Sequence, residues 1–375
     1  MNCFFSKKSL AKTRLFFEKK SNHDVISLLR YNVITKKNHA PLIDIKTVFL
    51  GELLSIVVAL SWTATALFAE VGSKRMGSLP FNAVRMAMSL CMLAATLWLT
   101  MGVPWPRYAD GGTWMWLLLS GVVGYVIGDY CLMQGYIIIG SRFGQLFMTL
   151  SAPTAAIMGR LFIGEQMRGL AIVGMVITLS GIAISVLSKQ ENNETTSNTK
   201  VKLKLPARGV AYAAMAGICQ GAGLVLSKIG LEHYDDALTL KGIDVTTAAD
   251  SALLHIPLSL TIPFASTMIR GTIGFVGFLS LLLLSKEGAK KLRNAVGDRK
   301  ALWCAAASML FGPFLGVSLS LMATQYTSTG IAQTLFSLTP VLIIAPAALL
   351  FYQKVTVREV IGTIISVTGV CLFFC

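Results

Sequence analysis

The chain has 375 residues, of which 54% are hydrophobic and only 14% charged, and a formal net charge of +15. A soluble chain would carry about 25% charged residues, so an ordinary water-soluble domain is excluded and helices facing lipid are favoured. The basic excess is concentrated in residues 1–46, with ten Lys or Arg against Glu18, Asp24 and Asp44. It fits contact with anionic headgroups and excludes a basic, aromatic-studded nucleic-acid-binding domain.

In chain order, residues 1–46 lack the continuous apolar core of a signal peptide and read as a basic, disordered extension. Ten stretches then follow, each close to the roughly 20 apolar residues a bilayer-crossing helix needs. The first five are 48–71, 81–101, 113–139, 143–163 and 169–187. The segment 188–206 is rich in Asn, Thr, Ser and Lys and reads as a linker. A sixth helix covers 207–229, and an acidic insertion covers 231–260. Pro257 and Pro263 are expected to split a short interfacial piece from the seventh helix, which ends near 284. A basic loop at 285–300 precedes helices at 301–323, 330–351 and 355–374. The domain reading is a first five-helix repeat at 47–187 and a second at 207–375.

The two halves repeat. At an offset of 188, Gly124 meets Gly312, Gly128 meets Gly316, Gln145 meets Gln333, Gly174 meets Gly362 and Gly181 meets Gly369. The stretches GQLFMTLSAP (144–153) and AQTLFSLTP (332–340) share one grammar, with Pro153 and Pro340 placed to bend their helices. At an offset of 158, Gly51 falls on Gly209, Trp62 on Gln220 and Glu70 on Lys228. Small residues at matched places let helix backbones approach closely in lipid. An odd number of helices per half makes the second half enter the membrane in the opposite sense.

Three features carry a resemblance: VVALSWTATALFAE (57–70), the arginines Arg85 and Arg270, and LFIGEQMRGLAIVGMVITLSGIAI (161–184) with Gly164, Glu165, Gly174 and Gly181. On these the chain resembles the drug/metabolite transporter superfamily, in particular its EamA-type ten-helix carriers. Its second copy departs, with Gln353–Lys354 near where a Gly-Glu pair is expected. The resemblance implies an all-α integral membrane fold, ten transmembrane helices in two inverted five-helix repeats. It also implies a multi-pass inner-membrane protein with both termini cytoplasmic, and cargo among amino acids, nucleobases, sugars, drugs and other small metabolites.

Asp129 is the sharpest candidate, because an acid inside an apolar helix marks a pathway, a proton site or a partner. Tyr125 lies four residues earlier on its face. Trp62 could stack on a flat solute, facing Gln220 as its repeat counterpart. Gln145 and Gln333 are amides that need partners in lipid. These six read as substrate-binding, with Asp129 also coupling protons. Packing is the competing reading for each. Arg85 and Arg270 read as gates or anchors, and Glu70 and Lys228 as side chains snorkelling to water. The seven cysteines read as small buried hydrophobes. HExxH, GxSxG and phosphate-loop signatures are missing, and the four histidines do not cluster, so no catalytic residue, metal or cofactor is assigned.

The charged loops disagree with the implied orientation. With the tail inside, basic 188–208 and 285–300 face outward and acidic 231–250 faces inward, against the positive-inside rule. The functional reading is a secondary transporter, an exporter of small metabolites such as amino acids or drug-like solutes, working by alternating access with proton coupling. Its partners are a small-molecule solute and the bilayer, and its state a monomer or weak homodimer. The alternative is a membrane-embedded enzyme or flippase acting on lipid-linked substrate.

Overall fold

A computed structural model describes residues 49–191, 206–247, 252–342 and 357–372. The extension 1–46, most of the linker and the second half of the ninth expected helix fall outside the described residues. What is described is helical, without a β-sheet. We number the helices α1 (Leu50–Met76), α2 (Ser78–Met101), α3 (Gly111–Ser141), α4 (Phe143–Ile163), α5 (Gly169–Glu191), α6 (Ala207–Leu240), α7 (Leu258–Leu284), α8 (Gly288–Gly297), α9 (Arg299–Tyr326), α10 (Thr329–Phe336) and α11 (Val357–Cys371). Seven of these, α1 to α4, α6, α7 and α9, are long and apolar enough to cross a membrane. Within α5 and α11, residues 169–184 and 360–371 form shorter apolar helices.

The helices turn large apolar side chains outward, among them Leu53, Leu60, Trp98, Leu161, Val176, Leu283 and Ile364. In water this surface would aggregate. In a bilayer it is solvated, and association between helices then depends on close packing and internal hydrogen bonds. Several buried hydroxyls are satisfied on their own helices. Ser55 donates to the Gly51 carbonyl, Thr63 to Ala59, Thr267 to Pro263 and Thr334 to Gly330, each one turn back.

Three boundaries differ from expectation. Helix α6 runs on to Leu240 through the first part of the acidic stretch. Leu231, Tyr234, Ala237 and Leu238 form an apolar stripe among the acids and pack against α2 and α7. Helix α7 is continuous through Pro263. That proline sits in the second turn, where its missing N–H costs one hydrogen bond rather than the helix. The basic loop holds α8, whose Leu292 and Ala295 pack inward while Lys290, Lys291 and Arg293 stay on its polar face. Cys91 and Cys371 are exposed on outer helix faces, not buried, while Cys131 and Cys219 are buried.

Irregular backbone recurs at matched places. Wide-turn, π-helical stretches begin at Val122 in α3 and at Leu310 in α9, 188 positions apart. Such stretches free carbonyls from the helical ladder. Here each receives a side chain from a helix of the other half: Ser61 donates to the Phe311 carbonyl at 2.6 Å, and Gln220 Nε2 to the Gly124 carbonyl at 3.1 Å. Helix α4 breaks at Thr149–Leu150 before Pro153, and α10 ends at Ser337–Leu338 before a single turn, Thr339–Leu342, carrying Pro340.

Contacts between the halves are reciprocal. The indole of Trp62 lies against Gly316, and Gln220 lies against Gly128. Thr65 lies against Gly312, and Gly223 against Gly124. Each second contact is the first with its two members exchanged for their repeat counterparts. The glycines are needed, because a Cβ on Gly316 would stand 2.5 Å from the Trp62 indole nitrogen.

Candidate functional site

Where α1, α3, α6 and α9 meet, a cavity of about 490 Å³ opens, walled by Trp62, Tyr125, Tyr136, Gln145 and Gln220, with Arg85 and Asp129 as its charged groups. The π-helical stretch of α3 places Tyr125 and Asp129 on the cavity side together.

Arg85 projects from α2 and is 2% exposed, and Asp129 is 7% exposed. Arg85 Nη2 donates to Asp129 Oδ2 at 2.5 Å and to Asn82 Oδ1 at 2.9 Å. Gln220 Nε2 donates to the other carboxylate oxygen of Asp129 at 2.8 Å. Three helices thus converge on one carboxylate. Burying two charges is costly and is offset only by tight pairing with further hydrogen bonds, both of which are present. The Nε of Arg85 and the hydroxyl of Tyr125 remain without a partner.

Arg270, from α7, lies behind this wall. Its guanidinium carbon is 4.9 Å from the centroid of the Tyr125 ring. The residue is 3% exposed, and its Nε and Nη1 have no hydrogen-bond partner. The ring face offsets part of the cost of that buried cation.

The Gln145 amide donates to the Tyr136 hydroxyl at 2.5 Å. Beside it a smaller space of about 190 Å³ is lined by Trp62, Gln145, Ser151, Gln333 and Phe336. The side-chain amide oxygen of Gln333 is buried there without a partner, and Trp62 packs on Phe336 with ring centroids 5.2 Å apart.

The six residues expected to bind solute therefore meet around two adjoining spaces, with Arg85 in the wall and Arg270 behind it. Arg85 is a buried ion-pair partner of Asp129. Asn82 and Tyr136 were not anticipated. Both had a signal: Asn82 stands three residues before Arg85, and Tyr136 seven after Asp129, on the same helical faces.

Lys228 and Glu70 do not simply snorkel. Lys228 donates to Glu165 at 2.6 Å and to the Thr327 carbonyl at 3.3 Å, and Glu165 accepts from the backbone N–H and hydroxyl of Thr329 at the start of α10. Glu70 accepts from the backbone N–H and hydroxyl of Ser141, 188 positions before Thr329, and pairs with Lys74. A carboxylate thus sits on unsatisfied backbone N–H groups after Gly140, whose φ of 80° breaks the chain between α3 and α4, and again at α10.

Long apolar helices packed by small residues around a charged central cavity define a polytopic membrane protein. A profile of the EamA-like transporter family matches residues 49–187 and again 245–375. The chain belongs to the EamA-like transporter family, within the drug/metabolite transporter superfamily, and is a multi-pass membrane protein of a family that transports small solutes. It is similar to a solved structure titled "Crystal structure of protein", at 13% identity and a TM-score of 0.56, covering 86% of this chain and 95% of that one. That likeness concerns the fold alone. No curated protein matches.

Proposed function

We propose that this chain is a secondary carrier that exports small metabolites, such as amino acids or drug-like solutes, by alternating access, and that it is not an enzyme. The carrier has ten transmembrane helices in two inverted repeats, 47–187 and 207–375, which rock about the cavity between them. The reciprocal contacts carry this reading. A pair such as Trp62 with Gly316 that recurs as Gln220 with Gly128 is what a two-fold relation produces, whereas a tandem copy would not exchange partners. Two-fold related halves can trade conformations, so one geometry closes one face and its exchange closes the other.

In this reading Trp62, Tyr125, Gln145, Gln220 and Gln333 hold the solute, and Asp129 couples protons. A proton on Asp129 would cancel the charge that holds Arg85, so the helix tie between α2 and α3 loosens as the proton binds. The solute is found by growing overexpressing and deletion strains across toxic metabolite analogues. In vesicles loaded with that solute, Asp129→Asn is expected to abolish accumulation against a gradient while exchange survives. Unchanged uphill transport in that variant excludes the coupling role, and vesicles that carry no solute from the screen exclude the carrier.

A further inference from the structure

The charges around the cavity do not balance. Arg85 is matched by Asp129 at 2.5 Å. Arg270 is a second buried guanidinium, with two nitrogens unpartnered and an aromatic ring for cover. Among the described residues Arg270 has no ion-pair partner, and Asp129, the acid of the cavity wall, is already bound by Arg85 and Gln220. Among the described residues, two cations against one anion leave an excess of one positive charge at the cavity and its wall.

Such an excess is costly in a low-dielectric interior unless a counter-charge arrives. A cation kept only for packing would be expected to have an acidic neighbour. The unpartnered donors belong instead to the cavity wall: Arg85 and Tyr125, which carry the unpartnered Nε and hydroxyl, are lining residues, and Arg270 packs on the Tyr125 ring. The remaining wall is aromatic and apolar, with Trp62, Tyr136, Leu132, Met133, Met148 and Val317.

We propose that the solute is an organic carboxylate with an apolar or aromatic body, whose carboxylate lies beside Arg85 and Tyr125 and is charge-balanced by Arg270. The proposal rests on the carrier reading and adds the charge class of its cargo. Arg85 Nη2 is taken by Asp129 and Asn82, so the solute carboxylate accepts from Arg85 Nε and from the Tyr125 hydroxyl. The apolar body occupies the aromatic wall, where area removed from water adds affinity. Electroneutrality then makes loaded and empty carriers differ: the empty cavity retains the excess charge, and the loaded one does not.

The test uses the purified full-length chain and three carbon skeletons: phenylacetate, phenylpropionate and hexanoate, each compared with its amide and its amine. Thermal unfolding is the readout, since a ligand bound to the folded state raises Tm. The acids are expected to raise Tm by a few degrees and the amides and amines to leave it unchanged. Arg270→Gln is expected to lose the acid-induced shift without a lower Tm for the empty protein, because it removes an uncompensated buried charge. Arg270→Lys, which keeps the charge, is expected to retain the shift. Stabilisation by amides or amines equal to that by acids overturns the proposal. So does a panel without response, a shift preserved in Arg270→Gln, or a lower Tm for that empty variant, which would mark Arg270 as structural. The carrier reading survives all four outcomes, because it stands or falls on vesicle uptake.

Discussion

Thr178 and Ser366 donate to each other's carbonyl oxygens across the α5–α11 contact, at 3.4 and 3.3 Å, although 188 positions separate them in the chain. In the inverted-repeat reading proposed above, a residue that meets its own counterpart lies on the axis relating the two copies. The flanking glycines agree: Gly181 packs on the Gly362 carbonyl and Ser366, and Gly369 on the Gly174 carbonyl and Thr178. A Cβ at Gly181 would stand 2.5 Å from the Ser366 nitrogen, and one at Gly369 2.6 Å from the Thr178 nitrogen. Backbone cannot swing aside as a side chain can. Gly181→Ala and Gly369→Ala are expected to destabilise the protein to a similar extent, by about 1–3 kcal/mol each. Gly169→Ala, where nothing lies within 4 Å, should stay within about 0.5 kcal/mol. Reversible unfolding in detergent measures all three, and a neutral Gly181→Ala would show that α5 and α11 are not in close contact.

The Arg85–Asp129 pair makes a second prediction, because stability and function should separate there. Removing one partner strands a buried charge and is expected to cost about 3–5 kcal/mol. Arg85→Met and Asp129→Leu singly should therefore lower Tm strongly. The double variant replaces the pair with apolar groups of similar volume, which often restores stability. It should regain most of the lost Tm yet stay inactive in vesicle uptake. Recovered transport in the double variant would reduce the pair to a structural tie.

Much of this arrangement could be read in the chain, for reasons that differ by residue. Asp129 announces itself because a carboxylate in an apolar helix has few uses. Trp62, Gln145 and Gln333 are visible through the repeat, which assigns them matched places without any contact being known. The partners of Asp129 were hidden. Arg85 lies 44 positions away on another helix, and a headgroup anchor fits the same sequence. The length of α6 was misread because acidic residues on its outer side mask the stripe of Leu231, Tyr234 and Leu238. Lys228 reads as a snorkelling cation because its partner Glu165 lies 63 positions away on another segment.

Glu165 is expected to matter for stability through two bonds at once. It satisfies backbone at the start of α10 and pairs with the half-buried Lys228. Glu165→Ala should cost about 1–3 kcal/mol, as is typical when a buried donor loses its acceptor. Lys228→Met leaves the bonds to Thr329 in place and should cost less. Tm measured on the two single variants and their combination gives the coupling energy. A coupling near zero would mean the 2.6 Å contact between them contributes nothing.

Two carboxylates cap helices at matched positions and each faces a basic group of the other half. Asp298 accepts from the Ala301 N–H and from Arg75 at 2.7 Å, while Asp110 accepts from the Thr113 N–H and has His233 beside it across Gly112. The Arg75 hydrogen bond, with help from the Ala301 N–H, holds the Asp298 carboxyl below the usual carboxylate range. A group whose folded pKa is depressed contributes stability above its unfolded pKa of about 3.9 and loses it as pH falls through the folded value. Asp298→Asn keeps a good capping residue but removes the charge. The Tm of the natural protein should therefore exceed that of Asp298→Asn by a constant amount above about pH 5, and the gap should close in more acidic buffer. The pair is open to solvent in part, so salt should shrink the gap as well. A gap that persists unchanged through acid and salt would show that the tie from α1 to α9 rests on the cap alone and owes nothing to Arg75.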